Sequence, residues 1–231
     1  KEEWASSLTS NTELGFVPNP ALFLAAISAF KLLNVPPLAA IPPEESLCKW
    51  FAKKIGFNDF SGGIAASGGT LSNLNALIAA RNNAGLGSDP NSVLLVSEDA
   101  HSSFIKCIRI MGLDEANLIR IKTDNNGSID IQNLRKTIDR CFIDNKKIFA
   151  IVATLGTTVR GAIDPIKDIS EICKERSIWL HIDGSIGGIF AITSIPIEGL
   201  NNINQANSIT INPQKIIGIT KTSSLLLVSE M

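Results

Sequence analysis

The sequence carries almost no net charge and has no long apolar run. Its 21 lysine and arginine residues balance 22 aspartate and glutamate residues, which argues against a strongly basic surface of the kind that binds nucleic acid. The longest apolar run near the start, residues 21–30, is too short to span a bilayer. No basic segment with a cleavage site precedes this run, so we expect neither secretion nor insertion into a membrane.

Cysteine is also sparse, and its spacing is uninformative for metal binding. The four cysteines are scattered, and no two of them form a CxxC pair: Cys48, Cys107, Cys141 and Cys173. A disulfide framework or a zinc site shows closer and more regular spacing. We therefore expect four buried free thiols in a protein of the reducing cytoplasm.

Strands and helices are predicted to alternate from residue 61 onward. The length of 231 residues is enough for one large domain with a full core. Apolar runs rich in β-branched residues alternate with segments of helical periodicity, which is typical of α/β proteins. We predict a largely parallel sheet flanked by helices.

Residues 1–45 differ from the rest of the chain. They are poorly periodic and rich in proline, and they predict a helix at about residues 21–33 followed by an extended proline segment. We therefore divide the chain into this N-terminal segment and a main domain over residues 46–231. Because the chain starts at Lys1 and stops at Met231, just after a strand-like run, we expect a fragment of a longer protein.

The stretch over residues 148–190 predicts a strand, a helix and a second strand, which together form one βαβ unit. Thr157 and Thr158 follow the first strand, and His181 and Asp183 stand at the end of the second. In parallel α/β sheets, ligands bind at the carboxyl ends of the strands. We therefore expect the chemistry to lie around Asp183.

A glycine-rich turn precedes a predicted helix earlier in the chain. Residues 61–70, SGGIAASGGT, are small and are expected to be flexible, and Thr70 is placed to cap a helix over residues 71–84. Backbone N–H groups at such a helix start point toward one place and can bind an anion. Gly68, Gly69 and Thr70 are therefore candidate anion ligands.

Asp183 needs a partner if it is buried, because burying a bare carboxylate is costly. The partner could be a protonated cofactor ring, a metal ion or Lys215, which is itself either a surface lysine or an amine that forms a Schiff base. His101, after a predicted strand, supplies a flat aromatic ring. With the glycine-rich turn, these residues meet the four needs of pyridoxal 5′-phosphate: phosphate donors, a stacking surface, a counter-ion for the pyridinium nitrogen and an amine that captures the aldehyde.

Five motifs carry a resemblance to a known family. In chain order they are SGGTLSNLNALIAAR, SEDAHSSFIKCIRIMGL, LGTTVRGAIDPI, WLHIDGSIGG and ANSITINPQK. In order and spacing they resemble the group II pyridoxal-phosphate-dependent amino-acid decarboxylases, which include the aromatic-amino-acid, glutamate, histidine and diaminobutyrate decarboxylases. The resemblance covers residues 40–230 and implies the large domain of a fold-type-I, PLP-dependent transferase-like protein. It also implies a homodimer with sites at the subunit interface, and a C-terminal small domain beyond Met231.

The resemblance implies a role for each matching residue. Lys215 would form the Schiff base with the cofactor, Asp183 would pair with the pyridine nitrogen, and His101 would stack on the ring and assist proton transfer. Further residues would contact the phosphate or lie near the ring: Gly68, Gly69, Thr70, Asn212, Thr158 and Ser185. With its nitrogen kept protonated by Asp183, the ring can accept the electrons left when carbon dioxide departs.

The implied reaction is the decarboxylation of an L-amino acid to the amine and carbon dioxide, in the cytoplasm. The expected partner is a small-molecule substrate, an amino acid, with no metal, nucleic acid or membrane involved. Another fold-type-I lyase or an aminotransferase would share Lys215 and Asp183.

The sequence departs from the family pattern in three ways. Gln214 replaces the usual histidine before the lysine, and Gly184-Ser185 replaces a usual Ala-Ala pair. The sequence also has no tyrosine, whereas family members commonly use an aromatic mobile loop further along the chain. These departures leave open a non-catalytic remnant of the family.

A metal hydrolase is a further alternative from a different class. Four side chains at the predicted strand ends could hold one zinc or manganese ion: Asp99, His101, His181 and Asp183. This alternative leaves the glycine-rich turn and Lys215 without a role.

Overall fold

The computed structural model describes residues 43–193, 197, 199–218 and 223–230. The helix predicted over residues 21–33 lies outside the described residues, as does most of the proline-rich stretch after it. The helices are α1 (Pro43–Ile55), α2 (Gly69–Asn83), α3 (Ser103–Ile110), α4 (Ile131–Ile143), α5 (Ile166–Arg176) and α6 (Pro213–Ile216). The strands are β1 (Gly62–Ala66), β2 (Ser92–Ser97), β3 (Leu118–Ile121), β4 (Lys147–Thr154), β5 (Trp179–Gly184), β6 (Ser208–Ile211) and β7 (Ser224–Val228). Short 3-10 helices lie at Glu115–Asn117, Gly187–Ile192 and Ile203–Gln205.

The strands form one sheet in the order β1-β7-β6-β5-β4-β2-β3. Strands β3, β2, β4, β5 and β6 are parallel to their neighbours within that run. Strand β7 runs antiparallel to both β6 and β1. The prediction of an α/β fold with a largely parallel sheet is confirmed.

Strand β1 corrects the prediction that residues 61–70 are flexible. Its five residues, GGIAA, have a low intrinsic preference for strands. They pair with β7, which follows in the sequence after most of the domain, with Gly62 opposite Val228 and Ala66 opposite Ser224. A side chain at Gly63 would meet the carbonyl oxygen of Leu226 at 2.4 Å, so glycine is needed for this close approach. Tertiary pairing, which a local pattern does not reveal, therefore sets the structure here.

Both faces of the sheet are buried, and β4 shows how. Ile151 and Ala153 pack into a core formed with α1, α4 and α5. Ala150 and Val152 point to the opposite face and pack against α2 and α3. Successive strand residues face opposite sides, so a continuous apolar run is what a strand covered on both faces requires.

Helix ends follow the charges and caps in the sequence. Helix α1 has Glu44 and Glu45 in its first turn and Lys53 and Lys54 in its last, as the helix dipole favours. The Asp130 side chain accepts hydrogen bonds from the backbone N–H groups of the first turn of α4, as the sequence predicts.

The four cysteines lie in α1, α3, α4 and α5, and all are buried and free. Burial raises the pKa of the Cys48 and Cys173 thiols to about 12, so both are held as thiols at neutral pH. The prediction of buried free thiols is confirmed. Within the described ranges, no helix is long and apolar enough to cross a membrane.

Candidate active site

A cavity opens at the edge of the sheet where β1, β2, β4, β5 and β6 have their carboxyl ends. It is lined by Gly69, Thr70, Asn73, His101, Ser103, Thr154, Gly156, Thr157, Thr158, Asp183, Ser185, Ile186, Asn212, Gln214 and Lys215. Eight of the nine predicted site residues are in this lining, although they come from distant parts of the sequence. Gly68 is the exception, since it stands just before α2 as its N-cap residue.

Asp183 lies near the end of β5, between Thr154 of β4 and Thr210 of β6 in the strand register. Its carboxyl group is buried, with 5% of the residue exposed. One oxygen accepts a hydrogen bond from Asn73 Nδ2 at 3.1 Å and the other from the backbone N–H of Ser185 at 3.1 Å. No ion pair in the described part of the chain involves Asp183, so its charge is held by neutral donors.

The two histidines have different environments. His101 is exposed after β2 and lines the cavity, and its Nδ1 accepts a hydrogen bond from the backbone N–H of Ser103 at 3.2 Å. His181 lies inside β5 and is fully buried, with its nitrogens 2.8 Å from Ser208 Oγ and 3.1 Å from Asn73 Oδ1. Burial lowers the pKa of His181 to about 4, although the negative charge of Asp183 acts in the opposite direction.

The metal-hydrolase hypothesis is wrong for this arrangement. Among the described residues, no group of three histidine, cysteine, aspartate or glutamate side chains could hold a metal ion. His181 cannot take part, because both of its ring nitrogens are already hydrogen bonded inside the fold. The prediction that it stands at the end of a strand fails because β5 continues to Gly184.

Helix α2 begins at Gly69, two residues earlier than predicted, and Thr70 is therefore inside the helix and is not its cap. The backbone N–H groups of Leu71 and Ser72 bond to the carbonyl oxygen of Gly68. The amides of Gly69 and Thr70 precede these bonds, and the first N–H groups of a helix lack intrahelical partners. They lie at the cavity, where an anion can accept from them.

Two side chains complete this helix start. A side-chain carbon built on Gly69 would lie 2.8 Å from both Asn212 Nδ2 and Ser185 Oγ, so both donors face the Gly69 backbone. Asn212 is oriented by Ser224, whose hydroxyl donates to Asn212 Oδ1 at 2.5 Å and lies 2.7 Å from Ser72 Oγ. The amide nitrogen of Asn212 is thereby left to donate toward the cavity. We call Gly69, Thr70, Ser185 and Asn212 the anion cradle.

We expect Gly69→Ala to weaken binding of pyridoxal phosphate by about tenfold or more, because the added methyl group fills the anion cradle and pushes its donors apart. Gly68→Ala is the matched control, because Gly68 could contact the phosphate only through its backbone, which this substitution keeps. A side chain there meets nothing within 4 Å, and the φ of Gly68, 167°, is open to any residue. The dissociation constant of the cofactor, followed by tryptophan fluorescence, checks the pair, and equal effects of the two substitutions would contradict the cradle.

Lys215 is exposed at the cavity on the short helix α6, directly after β6. Its backbone N–H bonds to the carbonyl oxygen of Asn212 at 3.0 Å, which fixes the turn between the strand and the lysine. The neighbouring Gln214 accepts a hydrogen bond from the backbone N–H of Ser223 at 3.0 Å, just before β7. The glutamine that departs from the family pattern therefore ties the lysine-bearing helix to the next strand.

The two threonines of the loop after β4 both line the cavity but differ in exposure. Thr157 is buried, and its hydroxyl accepts from the backbone N–H of Ala162 at 3.0 Å. Thr158 is exposed on the cavity wall. Thr154, at the end of the strand, is buried, and its hydroxyl has no hydrogen-bond partner among the described residues.

Asp164 fixes the end of β4, next to the cavity, although it is not among the residues that line the cavity. Its carboxylate is buried and accepts from the backbone N–H groups of Thr154 at 2.7 Å and Ile129 at 2.8 Å. Burial raises the pKa of Asp164 to about 6, and these two hydrogen bonds oppose the rise. In the folded protein, the pKa of this carboxyl group therefore lies well above that of an exposed aspartate.

We expect this group to make stability depend on pH. Its pKa in the folded protein lies above that in the unfolded chain, so its contribution is present at low pH and is lost as the pH rises through about 6. The Asp164→Asn variant has no carboxyl group to titrate at this position. The difference between its free energy of unfolding and that of the wild type should therefore rise by about 3 kcal/mol between acid and neutral pH. Urea unfolding across this range measures it. The exposed Asp168→Asn is the control, and parallel curves for the wild type and Asp164→Asn would refute the assignment.

The mostly parallel sheet, the lysine and buried aspartate at its carboxyl edge, and the anion cradle define a pyridoxal-phosphate domain of fold type I. Residues 44–231 match the sequence model described as the pyridoxal-dependent decarboxylase conserved domain. The chain belongs to the pyridoxal-dependent decarboxylase family, and its cofactor is pyridoxal phosphate.

Curated relatives agree with this family. The chain is 32% identical over 211 residues to an aromatic-L-amino-acid decarboxylase of Bacillus atrophaeus, covering 87% of this chain and 44% of the relative. It is 31% identical over 206 residues to an acidic amino acid decarboxylase of Homo sapiens, covering 86% of this chain and 38% of the relative. The chain thus spans less than half the length of these relatives.

Solved structures are similar as well. Mouse CSAD in its apo form superposes with a TM-score of 0.80 at 25% identity, covering 93% of this chain and 48% of that one. The glutamate decarboxylase domain of a Vibrio parahaemolyticus transaminase and L-2,4-diaminobutyrate decarboxylase superposes with a TM-score of 0.78 at 26% identity, covering 92% of this chain and 50% of that one.

The residues present fit the cofactor of the family. The Asp183 carboxylate is buried without an ion pair among the described residues, which suits a protonated pyridine nitrogen. The anion cradle suits a phosphate, and the amine of Lys215 suits an aldehyde. The sequence motifs missed four contributing residues, Asn73, Thr154, Ser72 and Ser224, of which the first stands four residues after Gly69 on the same helix.

Proposed function

We propose that this chain is the cofactor-binding part of an enzyme that decarboxylates an L-amino acid to the corresponding amine and carbon dioxide. The observation that carries the proposal is the buried Asp183 carboxylate in one cavity with the exposed amine of Lys215. When bound, pyridoxal phosphate supplies an acceptor for the electron pair left at the α-carbon. The names of both curated relatives support decarboxylation.

Each of the predicted site residues then has a role in binding or catalysis. Lys215 holds the cofactor covalently, and Asp183 keeps a proton on the pyridine nitrogen, because a carboxylate beside it favours the cationic form. His101 stacks on the ring and moves a proton at the α-carbon. The cradle residues Gly69, Thr70 and Asn212, with Gly68 before them, hold the phosphate.

The remaining cavity residues orient the ring. Ser185 lies against it, and Thr158 lies near His101 and the cofactor, on the exposed wall of the cavity. Both are small, so they would leave room for a flat ring in the cavity.

We also propose the wider setting of the enzyme. Residues 46–231 form the cofactor-binding domain, and residues 1–45 form an N-terminal segment whose last three residues begin α1. The active enzyme is a homodimer in the cytoplasm. Four buried free thiols support a reducing compartment. The open cavity, with Thr158 and Lys215 exposed, supports a site that a second subunit completes.

The test is release of carbon dioxide from carboxyl-labelled L-amino acids by the purified protein with added pyridoxal phosphate. We expect amine and carbon dioxide in equal amounts from one class of amino acid. Formation of a keto acid without carbon dioxide would make the protein an aminotransferase. Bound cofactor without turnover of any amino acid would make it a non-catalytic remnant of the family.

A further inference from the structure

A buried chain of hydrogen bonds leads away from Asp183 into the domain. Asn73 Nδ2 lies 3.1 Å from Asp183 Oδ2, and Asn73 Oδ1 lies 3.1 Å from His181 Nε2. His181 Nδ1 lies 2.8 Å from Ser208 Oγ, which accepts from the indole N–H of Trp179 at 2.8 Å. Asn73, His181 and Ser208 are each at most 1% exposed. These three side chains, on α2, β5 and β6, are therefore shielded from water, and Trp179 is half-buried.

The donor and acceptor groups of these side chains fix the direction in which the hydrogen bonds are donated. An ionised carboxylate only accepts, so Asn73 must turn its amide nitrogen toward Asp183 and its oxygen toward His181. That oxygen needs a donor, so His181 carries its proton on Nε2. The neutral ring then accepts at Nδ1 from the hydroxyl of Ser208. The indole N–H of Trp179, which only donates, is accepted by the oxygen of the same hydroxyl.

We propose that Asn73 and His181 are positioning residues that orient the ionised carboxylate of Asp183 through this one-way chain from Trp179. We call the four residues Trp179, Ser208, His181 and Asn73 the donor chain. Every donor in it is neutral, so it fixes the carboxylate without cancelling its charge. An arginine or lysine in the place of Asn73 would fix it equally well but would neutralise it. The charge is therefore left for a cationic group in the cavity, which links this inference to the proposed function.

The geometry of the strands explains why the chain is continuous. His181 and Asp183 are two residues apart on β5 and so point to the same face of the sheet. Ser208 is directly beside His181 on β6, and Asn73 on α2 covers both side chains from that face. The low pKa of the buried His181 agrees with a neutral ring in this position.

The first test uses the protein without cofactor. The sequence has two histidines, so nitrogen NMR with the His181→Gln variant assigns the His181 signals. We expect a neutral ring with a proton on Nε2 that exchanges slowly with water. This proton should exchange much faster in Asn73→Leu, which removes its acceptor at nearly constant volume. A His181 ring protonated on Nδ1 in the wild type would overturn the donor chain.

The second test uses the protein with cofactor and its amino-acid substrate. We expect Asn73→Leu to lower kcat by about 10- to 100-fold, the value of a hydrogen bond to a charged group, with little change in KM or in bound cofactor. Ser208→Ala, a smaller change, should lower kcat in the same manner and serves if Asn73→Leu does not fold. Thr210→Val is the matched control, since its buried hydroxyl next to Asp183 in register has no hydrogen-bond partner among the described residues.

The outcomes distinguish failure of the donor chain from failure of the proposed function. Equal kcat values for Ser208→Ala, Asn73→Leu and Thr210→Val would overturn the positioning role. Failure of the wild type to bind pyridoxal phosphate would defeat the proposed function, while the NMR test would still decide whether the donor chain exists.

Discussion

The Lys215→Ala variant is expected to retain no pyridoxal phosphate after borohydride treatment, whereas the wild type retains one molecule per chain. Among the described residues that line the cavity, Lys215 alone carries a primary amine. An amine condenses with the aldehyde with loss of water, and borohydride reduces the resulting carbon–nitrogen double bond to a stable amine. Without Lys215, no other cavity side chain forms that bond. Visible absorption followed by peptide mapping measures the loss and locates the adduct.

The control for this experiment is Lys136→Ala, because Lys136 is an exposed lysine on α4, away from the cavity. It should capture the cofactor as the wild type does. An undiminished adduct in Lys215→Ala would refute the assignment of the lysine and, with it, the proposed role of the cavity.

The Asp183→Ala variant is expected to lose activity far more than it loses cofactor. Lys215 and the anion cradle still hold the cofactor when Asp183 is absent, so the bound amount should change little. The proton on the pyridine nitrogen, in contrast, loses the carboxylate that stabilises it. Breaking a buried charge pair costs roughly 3–5 kcal/mol, so we expect kcat to fall on the order of 200- to 5000-fold.

Kinetics of carbon dioxide release and the absorbance of bound cofactor, measured on the same preparation, check this prediction. Asp183→Asn keeps the shape of the side chain and removes its charge, so it should behave as Asp183→Ala does. Parallel losses of activity and cofactor would show that Asp183 serves affinity or structure and not the electronics of the ring.

Local sequence patterns predict most of this fold. Runs such as Lys147–Thr154 are read correctly because a strand buried on both faces must be apolar throughout. Strand β1 is missed because its glycines and alanines become a strand only through pairing with β7. The start of α2 is misplaced because Gly69 and Thr70 are taken for part of the glycine-rich turn, whereas they are the first two residues of the helix.

The sequence predicts those site residues that lie at or just after the carboxyl ends of strands. The carboxyl ends of parallel strands meet at one edge, so Asp183, Asn212 and Lys215 are brought together by topology alone. Asn73 is missed because its role depends on the rotation of α2 above β5, which the sequence pattern does not fix. His181 shows the opposite error, since a polar residue close to a strand end is taken for a ligand when it belongs to the interior.

The anion cradle and the donor chain also bear on how this domain folds. Ser72 meets Ser224 across 152 positions of sequence, and Asn73 meets Asp183 across 110. Contacts of such separation form late, because the entropy of closing a long loop must first be overcome. During synthesis, α2 leaves the ribosome long before β7 can orient Asn212. Until β7 has docked, a nascent chain therefore lacks an oriented Asn212, and capture of pyridoxal phosphate would report that β7 has joined the sheet.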